Sequence, residues 1–354
     1  MAFKTKHPEI DLVGLQRKLK HSIRGKTCLH PGSIRNECRG RIVNSHSISR
    51  SAYLAKIADN GQVITFRDDI FSCLIHEKNP QPIKVGLSKA SIFPGFCEKH
   101  DAETFASIDK PNFSLTDKNI FLLTYRSLCQ AIFAKQCEHD LPQIMRETMP
   151  EADIILGDYF AVLEMSTRNG EEGLLVRKAI MDECLIGQNW ELVKYYGIRC
   201  RGKQEMVCSA LVSIYVDLGG RVVQDPEDNV PFMVGTYFHY LPHGDDLVFM
   251  VSWDDESFGV NRRIIRSFHG ISDLELGDAA LCAMFQYSDN IYLRPAWWDA
   301  LAPSVKVSIT NRMYNDAGLM RRYRCFRHAW VALEPWSGIR RYSNSLHVEG
   351  LLPF

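Results

Sequence analysis

The sequence predicts an α+β protein in three parts: a small Cys/His-rich module over 1–112, a helical connector over 113–200, and a C-terminal mixed region on an antiparallel sheet over 201–354. Three observations carry that reading. Residues 28–110 alternate short extended and short helical pieces between cysteines and histidines. From Thr116 onward, Phe121, Tyr125, Leu128 and Ile132 fall along a stripe close to helical period. Past about residue 205, the runs VCSALVSIYVDL, FMVGTYFHYL and DLVFMVSW are β-rich and bounded by turns.

Taken in order, RIVNSHSI is a short extended piece ending at His46. Ser49 or Ser51 can cap a helix in which Leu54, Ile57 and Ala58 share one face. Asn60-Gly61 stops it, because glycine tolerates the left-handed conformation found at helix ends. QVITFRD reads as a strand and IKVGLSKASIF as another. After Pro94-Gly95, FCEKHDAETF reads as a helix. Helices are expected to about residue 195, interrupted at Gly157, Gly170 and Gly173. LPHGDD reads as a hairpin loop, LELGDAALCAMFQYS as a helix, and NIYLRPAWWDAL as a strand entering a Pro-started segment anchored by Trp297 and Trp298.

A hydrophobic content of 45% with 24% charged residues is ordinary for a globular chain of 354 residues and excludes a disordered or fibrous class. No apolar run approaches the roughly 20 residues of a membrane span. The segment MAFKTKHPEIDLVGLQRKLK lacks the apolar core of a secretory signal, so a cytoplasmic location without membrane association is expected. In a reducing compartment the eleven cysteines should be buried thiols or metal ligands rather than disulfides. Cys73, Cys129, Cys137, Cys184, Cys200, Cys208 and Cys282 sit in apolar or helical surroundings and read as small buried hydrophobes. The net charge is zero, but the first 41 residues carry ten Lys or Arg against three acids. Arg312, Arg321, Arg322, Arg324, Arg327, Arg340 and Arg341, interleaved with Tyr314, Tyr323, Phe326, Trp330, Trp336 and Tyr342, form a second basic end suited to a polyanion.

The chemistry concentrates in the N-terminal module. Zinc prefers four thiolate or imidazole ligands in a tetrahedron. Cys97 and His100 are three residues apart at a helix start, which puts both on one face. Cys28 and Cys38 flank a loop that Pro31-Gly32 turns back, and His30 could replace one of them. The helix–strand unit between the pairs is small enough to need a staple.

Cysteines followed by a strand ending in His46, a hairpin-like excursion, and a helix bearing Cys97, His100 and then Asp101 resemble the treble-clef HNH endonucleases. The segments RIVNSHSIS and SIFPGFCEKHDAETF also resemble paired blocks in uncharacterised bacterial proteins. The resemblance covers about residues 28–105. It implies a structural zinc on Cys28, Cys38, Cys97 and His100, His46 as general base, and Asp101 as ligand of a catalytic Mg or Mn ion. The family usually has an acid where this chain has Ser45, and a histidine where it has Asp101. Arg39, Arg41 and Arg50 would hold the phosphate backbone. The implied activity is metal-dependent cleavage of nucleic acid, with bacterial defence as its setting by analogy.

Two other classes remain open on the residues. One is a zinc-stabilised module that binds nucleic acid or protein without catalysis. The other is an enzyme whose site lies in the C-terminal half. Phosphate-cradling glycine motifs, a GxSxG elbow and a dinucleotide fingerprint do not occur. The acids Asp254, Asp255 and Glu256 read as a solvated turn.

Overall fold

The computed structural model describes residues 27–34, 36–67, 81–111, 113–148, 152–225, 234–254, 258–316 and 337–343. Its N-terminal part is organised around a two-stranded antiparallel ladder, β1 (Ile42–His46) with β4 (Ile92–Cys97). Ile42 stands opposite Cys97 and His46 opposite Ile92. The helix α2 (Glu98–Phe105) leaves β4 directly. Its first backbone N–H groups, which no helix can satisfy internally, are taken up by β1's approach: Glu98 N–H donates to Arg41 O at 3.0 Å and Lys99 N–H to Arg39 O at 3.3 Å.

Between β1 and β4 the chain makes a π-helical turn, Arg50–Leu54, which runs into α1 (Ala55–Ile57). Ser49 caps it, its side chain accepting from Ala52 N–H. It ends earlier than the sequence implies, at Ala58, whose backbone is extended with ψ 139°; Asn60 and Gly61, at φ 51° and 74°, instead make the tight turn across which Asp59 and Gln62 bond. β2 (Gln62–Arg67) and β3 (Gln81–Gly86) follow as an antiparallel pair. The stretch IKVGLSKASIF is two strands rather than one. Residues 87–91 turn between β3 and β4, with Ser91 at φ 60°.

The second sheet has eight strands in the order β10-β5-β8-β7-β6-β9-β2-β3. They are β5 (Val193–Arg201), β6 (Met206–Ser213), β7 (Gly235–His243), β8 (Asp246–Asp254), β9 (Ile291–Leu293) and β10 (Ser337–Ser343), with β2 and β3 at the edge. β2 joins through Ile64 opposite Leu293, and Thr65 Oγ1 donates to Ile291 O at 3.0 Å. A hairpin from the N-terminal third therefore completes the sheet of the C-terminal half. The LPHGDD loop is the tight β7–β8 turn, with Gly244 at φ 66°.

This sheet is buried on both faces. Tyr237, Leu241, Val248 and Met250 point to one side with α3 (Asp117–Thr148), α4 (Ala152–Gly187) and the β1–β4 module. Phe238, Tyr240, Phe249 and Val251 point to the other, under α5 (Phe258–His269), α6 (Asp273–Tyr287), α7 (Pro295–Ala300) and α8 (Pro303–Asp316). Trp298 closes that second core edge-on to Phe66 at 5.3 Å. Two-sided burial explains why β5 (VKYYGIRCR) lacks the alternation that marks a half-exposed strand. The glycines at 157, 170 and 173 do not interrupt α4, which runs through all three against α3.

A line of polar side chains crosses this interior. Thr124 Oγ1 meets Ser252 Oγ at 2.8 Å, His239 bridges Ser252 and Ser209 at 3.2 and 2.9 Å, and Ser209 meets Ser127 at 2.9 Å. Asn290 Nδ2 continues it to Ser47 Oγ at 2.9 Å, beside His46. Buried polar groups satisfied in this way fix one arrangement of the elements.

Five of the seven cysteines read as hydrophobes (Cys129, Cys184, Cys200, Cys208 and Cys282) are buried and Cys137 is half-buried; Cys73 lies outside the described residues. Most of the basic, aromatic C-terminal stretch, including Arg321, Arg322, Arg324 and Arg327, also lies outside them. Arg341 pairs with Asp273 at 2.5 Å, and Asp254 pairs with Arg177 rather than forming a solvated turn; Asp255 and Glu256 lie outside the described residues. Among the described residues, no helix is long and apolar enough to cross a membrane.

Candidate metal centre

Cys28, Cys38, Cys97 and His100 converge, although 72 positions separate the first from the last. Their ligand atoms all lie within 4.8 Å of one another. His100 Nδ1 stands 3.4 Å from Cys28 Sγ, 3.6 Å from Cys38 Sγ and 3.3 Å from Cys97 Sγ. With Zn–S about 2.3 Å and Zn–N about 2.0–2.1 Å, a tetrahedron sets sulfur and nitrogen about 3.6 Å apart. Donor set and spacing are both compatible with zinc.

Each ligand is held by backbone. Leu29 N–H donates to Gly95 O at 2.8 Å, tying the Cys28 loop to β4, and Cys97 N–H points at Cys28 Sγ at 3.3 Å. Pro31–Ser33 forms one turn of 3₁₀ helix, and its Gly32 has no room for a side chain: a Cβ there would stand 3.0 Å from His100 Nε2 and 2.7 Å from the Glu37 carboxylate. His30 is not a fourth ligand. Its Nδ1 accepts from Gly32 N–H at 3.0 Å, and its ring stacks on His100 at 4.0 Å. Burial, helped by the neighbouring His100, Lys178 and Lys99, pushes its pKa down to about 4, so the neutral ring can serve as that acceptor.

The thiols are unequal. Burial pushes Cys28 up to about 12, against hydrogen bonds from the Cys97 and His30 backbone, and burial also raises Cys38. Burial pushes Cys97 up as well, but backbone hydrogen bonds from His100 and Arg39 and contacts with Cys38 and Cys28 outweigh it, and its pKa is lowered. Two of the three thiols thus resist ionisation without a cation, and a bound cation would favour their charged form.

A second cluster lies across the same ladder. His46 ends β1, half-buried, with Nε2 3.4 Å from Leu87 O. Burial lowers its pKa, the Leu87 carbonyl and the Asp101 charge raise it, and Arg50 and Arg126 lower it. Burial raises the pKa of Asp101, while the Ser45 hydroxyl, Arg126 and His46 draw it back. Ser45 stands beside that carboxyl without the geometry of a full hydrogen bond. Ser45 Oγ and Asp101 Oδ1 are both buried with no hydrogen-bond partner among the described residues. Unsatisfied buried oxygens are rare and call for an explanation.

Two supports for this cluster come from residues given no role by the spacing of motifs. Ser91 Oγ accepts from Ile48 N–H at 2.6 Å and meets Ser47 Oγ at 2.7 Å, so it pins the chain just after His46. Its left-handed backbone, unusual for a serine, is what aims it there. Arg126 on α3 is buried, grips Asp109 with two bonds of 2.8 Å and lies 4.1 Å from the centroid of the Phe105 ring. The adjacent pair Tyr125-Arg126 in the long helix is the feature of the sequence that marks it as able to reach the module. Tyr125 itself reaches the module, donating to Leu29 O at 3.3 Å and Asp182 Oδ1 at 2.6 Å.

The three arginines expected to hold phosphate divide. Arg50 is exposed and within electrostatic reach of His46. Arg39 and Arg41 are exposed just before the opposite end of β1, beyond the four residue steps, or about 13 Å, that separate Ile42 from His46. Arg41 is engaged there with Glu98 at 3.3 Å. In the C-terminal half a cleft of about 1070 Å³ is lined by charged groups such as Asp217, Arg263, Arg266 and Glu275. Among the described residues its lining includes no histidine or cysteine.

Comparison of the chain with protein-family models, with curated proteins and with solved structures finds no match in any of the three.

Proposed function

We propose that this protein is a metal-dependent nuclease of HNH-like type, in which Cys28, Cys38, Cys97 and His100 hold a structural zinc and His46 and Asp101 form the reactive pair. The observation that supports the reading is that His46 and Asp101, on the strand–helix unit that carries the Cys/His cluster, lie within electrostatic reach of each other. The unpartnered oxygens of Ser45 and Asp101 suit a hard cation, and oxygen donors favour Mg or Mn over zinc. When bound, that ion supplies positive charge against the charge that builds on phosphate. His46, kept neutral near pH 7 by its burial, accepts the proton of the attacking water. Ser91 and Leu87 hold its loop and ring, and Arg50 offers a charge to the phosphate backbone. DNA and RNA are both substrates to be tried.

The test is incubation of the full chain with supercoiled plasmid, single-stranded DNA or RNA in Mg²⁺ or Mn²⁺. Cleavage is expected, and His46→Ala should reduce it by at least about 100-fold with zinc content unchanged. Absence of cleavage across these substrates and ions would remove the nuclease reading. Ser45, in the place of the family's acid, favours a second one: a zinc-stabilised module that binds nucleic acid or protein without cutting. In that case binding survives His46→Ala and is lost with Cys97→Ala.

A further inference from the structure

The helix α4 presents one face to α3, and among the described residues the opposite one is exposed. Gly170 marks the covered side, where an added Cβ would meet the Lys135 side chain of α3 at 3.6 Å. At 3.6 residues per turn, Ala161, Met165, Arg168, Glu172, Leu175 and Ala179 fall within about 80° of one another, centred opposite Gly170. All six are exposed, and Met165 at 62% and Leu175 at 42% are among the most exposed large apolar side chains described. Val176 and Ile186, at 57% and 48%, extend the stripe towards the end of α4. Neither Arg168 nor Glu172 has an ion-pair partner among the described residues.

We propose that this face docks a second copy of the chain, the two α4 helices lying antiparallel about a two-fold axis at the level of Gly170. The stripe is its own complement in that arrangement. Met165 meets Leu175 of the second copy, Ala161 meets Ala179, and Arg168 meets Glu172, each contact occurring twice by symmetry. The central opposite charges fix direction and register, the Met–Leu pairs bury the apolar surface around them, and the alanines let the helices approach at either side. A parallel pairing would set Arg168 on Arg168 and Glu172 on Glu172. The strip from 161 to 186 is about 38 Å long. One helix pair of that length lies at the low end of specific interfaces, so the dimer should be reversible and concentration-dependent. This inference does not depend on the chemistry at His46.

The test is sedimentation velocity of the full chain over a roughly hundredfold concentration series, with circular dichroism as a check on folding. Wild type should pass from monomer to dimer. Arg168→Glu, which sets like charges together twice, should raise the dissociation constant at least about tenfold, and adding Glu172→Arg should restore it. A monomer at every concentration would overturn the proposal. So would dimerisation of Arg168→Glu at the wild-type constant, or a folded double variant that fails to recover.

Discussion

The β1–β4 module and the eight-stranded sheet are held in different ways. The sheet hides large side chains on both faces, with Trp253, Phe238 and Tyr237 fully buried, and its stability comes from apolar area removed from water. The module has two short strands and one short helix, and at its head four ligand atoms lie within 4.8 Å of one another. Without a cation, burial works against the charge of its thiols; with one, the same atoms become its strongest links. The difference is that burial alone holds the sheet, whereas in the module burial of Phe93, Phe96 and Phe105 is joined by a cluster able to hold a metal, with the β2–β3 hairpin and the Asn290–Ser47 bond as the seam.

The contrast breaks most visibly when the metal is removed. Structural zinc sites contribute an apparent 10–16 kcal/mol in small domains. Cys97→Ala or a strong chelator should therefore abolish hydrogen-exchange protection over β1, β4 and α2 while β5–β8 keep theirs. Equal loss of protection in both regions would erase the distinction. The complementary variant is Phe238→Ala, which opens a cavity in the sheet core beside Phe249, 5.6 Å away between ring centroids. It should cost about 3–5 kcal/mol in denaturant unfolding and leave the zinc stoichiometry intact.

The smallest effect concerns acid. His239 is fully buried between Ser209 and Ser252, and burial pushes its pKa down to about 3. As pH falls below the unfolded value of about 6.5, the unfolded chain takes up a proton that the native state refuses. Stability contributed here is complete above that value and is lost downward at up to about 1.4 kcal/mol per pH unit until pH 3 is approached. Unfolding curves of wild type and His239→Gln should differ by that slope between pH 6 and 4. Parallel curves would show that the imidazole is not excluded from protonation.

The metal cluster was legible in the sequence because cysteine and histidine are unambiguous as ligands, and a three-residue spacing at a helix start fixes a face. The end of β1 at His46 and the β7–β8 turn were legible for the same reason: each is written in a few adjacent residues; Asn60-Gly61 marked a turn too, but one that joins Asp59 to Gln62 rather than the end of α1. What adjacency does not encode was missed. β5 shows no alternation because neither face is wet, and α4 absorbs Gly157, Gly170 and Gly173 at a cost of about 1 kcal/mol each because α3 supports it. The pairing of Ile64 with Leu293 and the grip of Arg126 on Asp109 depend on long-range contacts that no local pattern announces. Ser91 was hidden by chemistry, since a left-handed serine looks like any other serine until its neighbours are placed.

X-ray absorption at the zinc edge of the purified full chain reads out whether positions 28, 38, 97 and 100 surround one ion. The expected spectrum has one zinc per chain bound by three sulfurs at about 2.3 Å and one nitrogen at about 2.0–2.1 Å. A shell of oxygen and nitrogen without sulfur, or a folded chain that carries no zinc and takes up none, would contradict it.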